Sequence, residues 1–223
     1  MPPETLKDRL DLVRNRIATA CARAHRRESD VKLLAVTKVF GSEYIREAWE
    51  LGLRDFGENY VQEMERKAPE IADLEGSRFH LIGHLQTNKT KKAAQLFSSI
   101  DTIDSAKLAT RLNAEARPLE AMIELKLSDE EAKSGASEDE AGAIAATVRS
   151  CSCLELRGVM TVPPWSEDPE VSRPYFARLR AIAETLNVPE ISMGMSNDLE
   201  VAIEEGSTWV RVGTALFGRR QKK

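Results

Sequence analysis

The sequence predicts an α/β fold, a single (β/α)8 TIM barrel with an extra N-terminal helix. Three observations lead to this prediction. Eight short apolar segments alternate with helical patterns along the 223 residues. No repeat or linker divides the chain, so one domain is expected over residues 1–223. No Gly-x-Gly-x-x-Gly follows the first strand, so an open dinucleotide-binding sheet has no support.

The first elements follow from apolar spacing and capping residues. Apolar side chains recur every three or four positions over residues 6–24, which predicts an amphipathic helix. Thr5 and Asp8 have the spacing of a capping box at its start. The first predicted strand covers residues 31–38, and Ser42 is the predicted cap of the next helix.

The rest of the chain continues this alternation. The other predicted strands are 54–57, 78–83, 98–103, 120–127, 154–162, 190–193 and 208–212. The helical patterns between them are 60–71, 89–96, 106–116, 138–151, 169–186 and 198–205. A polar connection at 128–138 predicts a mobile loop over the mouth of the barrel.

Composition narrows the function classes. Lys and Arg total 32 and Asp and Glu 36, a net charge of −4, which argues against nucleic acid or an anionic membrane as the main partner. Cys21, Cys151 and Cys153 form no evident disulfide framework, which indicates a reduced, cytoplasmic protein. No stretch has the apolar length of a signal peptide or a membrane span.

Lys38 closes the first predicted strand and is the first candidate functional residue. Ligands bind at the carboxyl ends of barrel strands, and burial there lowers the pKa of a lysine. The resulting neutral amine is able to form a Schiff base with an aldehyde. The alternative is a solvated or ion-paired structural lysine.

The loops after the last two strands predict an anion site. Gly194 permits close backbone approach, and Ser196 is placed to cap the helix that follows. Gly213 and Thr214 are able to aim N–H groups and a hydroxyl at an anion. Barrels often bind phosphate at these loops. Ordinary turns are the alternative interpretation.

Arg211 is expected to point into the barrel, because strand alternation places it opposite Val210 and Val212. A phosphorylated ligand that forms a Schiff base with Lys38 suggests pyridoxal 5′-phosphate (PLP), with Arg211 facing the ring nitrogen. A cation there leaves that nitrogen unprotonated and weakens the ring as an electron sink. His80 and His84 lack further ligands at metal spacing, so no metal site is predicted.

Seven segments resemble, in order, the signatures of the pyridoxal phosphate homeostasis proteins, and the resemblance covers nearly the whole chain. The segments are Leu34 to Lys38, Phe56 to Glu63, His80 to Lys89, Lys133 to Gly135, Arg157 to Thr161, Ser192 to Ser196 and Val210 to Gly218. That family is similar to the N-terminal barrel domain of alanine racemase standing alone.

The resemblance implies a cofactor and a role for each matching residue. Lys38 would carry PLP as a Schiff base, and Arg211 would face the pyridine nitrogen. The residues that would hold the phosphate are Ser196, Gly213 and Thr214, and those that would line the ring are Asn59 and Met193. The implied function is a cytoplasmic PLP carrier or buffer in vitamin B6 homeostasis, without established catalysis. Its partners would be PLP and the apo-enzymes that depend on PLP.

Two positions depart from the family pattern. Phe79 stands where the family commonly has Trp, a change that preserves packing. Lys126 stands where many members have Asn, which adds a cation near the mouth.

Two alternatives belong to other classes. A PLP-dependent amino-acid racemase needs a second base, which the racemases take from an additional domain. The chain ends six residues after Phe217, so we expect a non-enzyme and a monomer. A cofactor-free Schiff-base aldolase shares the barrel and the lysine but leaves Arg211 without a task.

Overall fold

Eight parallel strands close into a barrel in a computed structural model, which describes residues 5–128 and 134–218. The strands are β1 (Lys32–Val36), β2 (Asp55–Glu58), β3 (Arg78–Leu81), β4 (Ser99–Ile103), β5 (Leu119–Leu125), β6 (Leu154–Thr161), β7 (Glu190–Ser192) and β8 (Trp209–Val212). Each strand pairs with the next, and β8 pairs with β1 with Leu34 beside Arg211. The predicted (β/α)8 barrel is confirmed.

Helices surround this barrel. They are α1 (Leu6–Arg23), α2 (Ser42–Glu50), α3 (Val61–Lys67), α4 (Thr90–Leu96), α5 (Ala106–Asn113), α6 (Glu138–Ser150), α7 (Arg173–Leu186), α8 (Leu199–Glu204) and α9 (Thr214–Phe217). The extra helix α1 begins with the predicted capping box of Thr5 and Asp8. It packs against α8 and α9, and Arg16 Nε lies 2.6 Å from Glu200 Oε1.

Two separate apolar regions stabilise the barrel. The larger one fills the space between strands and helices, and α1 contributes Leu6, Leu10 and Val13 to it. Each such side chain contributes roughly 1.5–3 kcal/mol when fully buried. The smaller one joins Leu34, Met122 and Trp209, on β1, β5 and β8. Polar side chains reach the barrel interior outside this small cluster, and one group of them forms the candidate site.

The structure differs from the predicted elements mainly at helix ends. Ser42 does not cap α2: Gly41 holds the N-cap position, and the Ser42 hydroxyl donates to Glu70. The helix predicted over 60–71 ends at Lys67, where a 3-10 turn begins that contains Pro69. Proline has no N–H and clashes with the preceding turn, so it ends the α-helix.

The predicted mobile loop is described only in part. Ala136 lies beside β5, where it accepts from Lys126 N at 2.9 Å and donates to Glu124 O at 2.8 Å. Residues 129–133, including Lys133, and the basic tail at 219–223 lie outside the described residues. Among the helices that are described, none has both the length and the apolar character that a membrane span requires.

Candidate functional site

A cavity of about 590 Å³ opens at the carboxyl ends of the strands. That volume is typical of small-molecule sites, which range over roughly 300–1,000 Å³. Six of the seven predicted site residues line it, namely Lys38, Asn59, Ser196, Arg211, Gly213 and Thr214. Met193 is fully buried and is not among the lining residues.

Lys38 reaches the cavity from a tight turn just beyond β1. Phe40 N donates to Thr37 O at 3.1 Å, which makes Lys38 and Val39 the central residues of a β-turn. Val39 has a φ of 65°, in the left-handed region that β-branched residues rarely adopt. The strand end and this turn place Lys38 at the cavity wall.

Asn59 and Gly83, just beyond β2 and β3, form another part of the wall. A Cβ atom on Gly83 would lie 2.3 Å from the Asn59 carbonyl oxygen, so the two backbones approach this closely only with glycine. The Asn59 Oδ1 atom is buried and has no hydrogen-bond partner within the described part of the chain. A polar ligand in the cavity would satisfy it.

Arg211 lies on the barrel-facing side of β8, as strand alternation predicted, and is 4% exposed. Its Nη1 donates to Ser192 Oγ at 2.9 Å, and its Nη2 donates to Thr161 O at 2.8 Å. Burial lowers the pKa of the guanidinium, while the nearby carboxylates of Asp198 and Glu124 oppose that shift. These bonds hold the guanidinium at the cavity.

Glu124, on β5, also lines the cavity and was missed by the sequence analysis. Burial raises the pKa of its carboxyl to about 7, the Arg211 charge lowers it, and Asp104 adds to the rise. Its Oε2 atom is buried with no hydrogen-bond partner among the described residues. The available signal was a charged residue inside the apolar segment of β5, two positions after the barrel-facing Met122.

The loops after β7 and β8 meet at another part of the cavity. Ser196 Oγ accepts from Ala215 N at 3.2 Å, so it bonds the start of α9 and does not cap α8 as expected. Asp198 holds the N-cap position of α8 instead, and its Oδ1 accepts from Met195 N at 2.7 Å. Ser196 thus ties the two loops together, and its hydroxyl proton remains available to a ligand.

Further charged and aromatic groups surround the mouth. Lys126 and His84 line the cavity, and His84 Nδ1 lies 3.2 Å from Asp104 Oδ2. Trp165 lines it too and is 75% exposed. Within residues 5–128 and 134–218, no group of three or more His, Cys, Asp and Glu side chains is arranged to hold a metal ion.

His80 has a structural environment elsewhere in the barrel. Its Nδ1 lies 3.1 Å from Asp101 Oδ2, and its Nε2 lies 3.4 Å from Asp55 Oδ1. Burial lowers the pKa of the imidazole, but the two carboxylates outweigh burial and raise it to about 9. Its ring also contacts the Trp209 ring, at 5.1 Å between centroids.

Comparison with known proteins identifies the class first. The family model for the alanine racemase N-terminal domain matches residues 9–221. The alanine racemase of Corynebacterium glutamicum shares the fold, with a TM-score of 0.67 and 17% identity, over 95% of this chain and 61% of that one. The fold and the site therefore define a barrel of the alanine racemase N-terminal type.

Closer relatives identify the family within that class. The pyridoxal phosphate homeostasis protein of Pseudomonas aeruginosa is 42% identical over 222 residues, covering 97% of this chain and 96% of that one. The structure of PipY from Synechococcus elongatus PCC7942 with PLP bound has a TM-score of 0.81 and 35% identity, over 91% of this chain and 100% of that one. The chain belongs to the pyridoxal phosphate homeostasis protein family, which confirms the resemblance seen in the sequence.

Proposed function

We propose that this protein binds PLP reversibly through Lys38 and serves as a carrier or buffer of the cofactor in vitamin B6 homeostasis. The observation that carries the proposal is the placement of an amine, a guanidinium and the two loops that contain Ser196, Gly213 and Thr214 around one cavity. PLP offers a matching aldehyde, ring nitrogen and phosphate. Relatives named for PLP homeostasis, and PipY with PLP bound, support the same cofactor.

Each end of the cofactor has a proposed partner. The Lys38 amine would condense with the aldehyde to a C=N bond with loss of water, and hydrolysis would reverse that step. Ser196, Gly213 and Thr214 would hold the phosphate, because backbone N–H groups and a hydroxyl are available there. The unpartnered Asn59 Oδ1 is a candidate contact to the ring. Met193 does not line the cavity, so it would contribute only by packing behind the lining residues.

Arg211 favours storage of the cofactor over turnover. A guanidinium stays protonated at any physiological pH, so beside the pyridine nitrogen it would discourage protonation of the ring. An unprotonated ring is a weaker electron sink for carbanion chemistry. Together with relatives named as homeostasis proteins, this supports a non-catalytic binder.

The wider cellular setting follows as part of the proposal. One barrel domain would make up residues 1–223, and the protein would work as a cytoplasmic monomer. PLP-dependent apo-enzymes would receive the cofactor. Nucleic acids and membranes would not be partners, because acidic residues outnumber basic ones and the net charge is −4.

A spectroscopic titration with PLP tests the binding proposal. Wild type should develop the visible absorption of a Schiff base, and Lys38→Ala should not. Lys126→Met is the matched control, because it removes the other lysine that lines the described cavity and should leave the band in place. A colourless wild type, or an equal band from Lys38→Ala, would contradict the proposal.

A second measurement separates the binder from a racemase. The loaded protein is incubated with L-alanine or D-alanine in D₂O, and deuterium at Cα is followed by NMR. The proposal predicts no incorporation above that of free PLP, because the unprotonated ring weakly stabilises a carbanion. Incorporation that requires Lys38 would show deprotonation at Cα and contradict a non-catalytic binder, and formation of the opposite enantiomer would identify a racemase.

A further inference from the structure

A buried cluster of three charged side chains lies against the turn that carries Lys38. Lys67 Nζ is 2.7 Å from Glu58 Oε1 and 2.7 Å from Glu63 Oε1. The Lys67 side chain is 8% exposed and that of Glu58 is fully buried. None of the three lines the cavity, so the cluster has no direct contact with a ligand there.

The cluster bonds the residues on both sides of Lys38. Thr37 Oγ1 donates to Glu58 Oε1 at 2.7 Å, and Lys67 Nζ donates to Thr37 O at 3.0 Å. Val39 N donates to Glu63 Oε1 at 2.5 Å. The peptide groups before and after Lys38 are therefore both fixed by charge-assisted hydrogen bonds, the first buried and the second partly buried, and such bonds are stronger than neutral ones.

The conformation of Val39 explains why such fixing is needed. Its φ of 65° is unfavourable for a β-branched residue. Strained backbone persists where its surroundings hold it in place, and it concentrates at functional sites. The bond from Val39 N to Glu63 is the contact that holds this peptide group directly.

We infer that Glu63 and Lys67 are positioning residues, which hold the turn so that the Lys38 amine faces the cavity and condenses rapidly with an aldehyde. The inference rests on the proposed function. In the condensation, the Nζ lone pair forms the bond to the aldehyde carbon. The carbonyl oxygen then leaves as water with both hydrogens of the neutral amine. Glu63 and Lys67 exchange no proton in this step; they act only through the backbone at Thr37 and Val39.

Two substitutions at Glu63 separate the hydrogen bond from the charge. Glu63→Leu removes the acceptor for Val39 N and leaves Lys67 paired with Glu58, so the remaining buried charges balance. Glu63→Gln keeps an acceptor oxygen. We expect Glu63→Leu to slow the rise of the visible PLP band by about tenfold or more, since small misplacements of a reacting group cost large factors in rate. Glu63→Gln should recover most of the loss.

Relieving the strain provides a second test. Glycine adopts a positive φ without a steric cost, so the loss caused by Glu63→Leu should be several-fold smaller in a Val39→Gly background. Lys32→Met is the matched control. It removes a lysine 3.0 Å from Glu190 at the other end of β1 and should leave the rate of band formation unchanged. Thermal unfolding is recorded for every variant.

Amide hydrogen exchange in the PLP-free protein gives a readout that does not depend on the cofactor. The Val39 amide should exchange slowly in wild type and much faster in Glu63→Leu. Rapid exchange of this amide in wild type would refute the inference even if Glu63→Leu did not fold. Wild-type rates of band formation in a folded Glu63→Leu would also overturn it and leave the Lys38 proposal standing. A wild type without a Lys38-dependent band would instead remove the proposed function.

Discussion

At the scale of single residues, the carboxyl of Glu124 is buried in the cavity wall, and its Oε2 atom has no hydrogen-bond partner among the described residues. Its pKa is about 7 in the fold against an ordinary value of 4.5, because burial penalises the charged form. Between these values the folded state binds more protons than the unfolded chain. Stability therefore falls as the pH rises from about 4.5 to above 7, by about 3 kcal/mol in total.

Replacing Glu124 by Gln should flatten this dependence. The amide cannot ionise, so the free energy of unfolding of Glu124→Gln should fall less than that of wild type between about pH 5 and pH 8. Urea denaturation at both pH values measures the difference. Glu120→Gln, on the same strand and beside Arg78, is the control and should keep the wild-type fall. An equal fall in Glu124→Gln would mean that Glu124 is ionised throughout.

At the scale of elements, the close approach of the ends of β2 and β3 shapes the cavity. A methyl group at Gly83 would lie 2.3 Å from the Asn59 carbonyl oxygen, which is backbone and moves only with its strand. We expect Gly83→Ala to cost about 1–3 kcal/mol of stability. It should also weaken PLP binding by about tenfold, because Asn59 and the wall shift together.

The chain contains a matched glycine for this comparison. Gly142 lies within α6, and a Cβ atom there would meet nothing within 4 Å. Gly142→Ala should stabilise the protein by about 0.5–1 kcal/mol, because alanine loses less backbone entropy in a helix. Chemical denaturation and a PLP titration compare the two variants. Tight PLP binding by Gly83→Ala would show that the strand ends adjust without loss.

At the scale of the whole molecule, the cluster of His80, Asp101 and Asp55 stabilises the barrel away from the candidate site. The pKa of His80 is about 9 in the fold, above its ordinary 6.5, because Asp101 and Asp55 stabilise the imidazolium. This contribution is fully present below about pH 6.5 and is lost as the pH rises through about 9. Glu124 and His80 therefore both make the protein less stable in alkaline solution.

Asp101→Asn tests the contribution of His80. Breaking this buried pair should cost about 3 kcal/mol or more at neutral pH, and less near pH 10, where His80 is neutral in wild type as well. Denaturation curves at the two pH values provide the measurement. A loss of the same size at both would mean that the imidazole carries no charge in the native protein.

Also at this scale, the barrel and most of its site were predictable from the sequence, because strand ends in a barrel converge on one mouth. That rule brought Lys38 and Arg211 to the same cavity. Glu124 was missed because a charged residue within a strand is normally interpreted as facing outward. The side chains of the barrel interior have to be known before it can be assigned to the inside. Ser196 was misread because its partner, Ala215, belongs to a helix too short to show a period.

The central claim is that Lys38 carries the cofactor, and borohydride reduction of the PLP-loaded protein followed by peptide mapping tests it most directly. Reduction fixes a Schiff base permanently to its lysine. We expect the pyridoxyl group on the peptide that contains Lys38, and none on that of Lys126, the other lysine of the described cavity lining. A pyridoxyl group on Lys126, or on another amine in place of Lys38, would contradict the account.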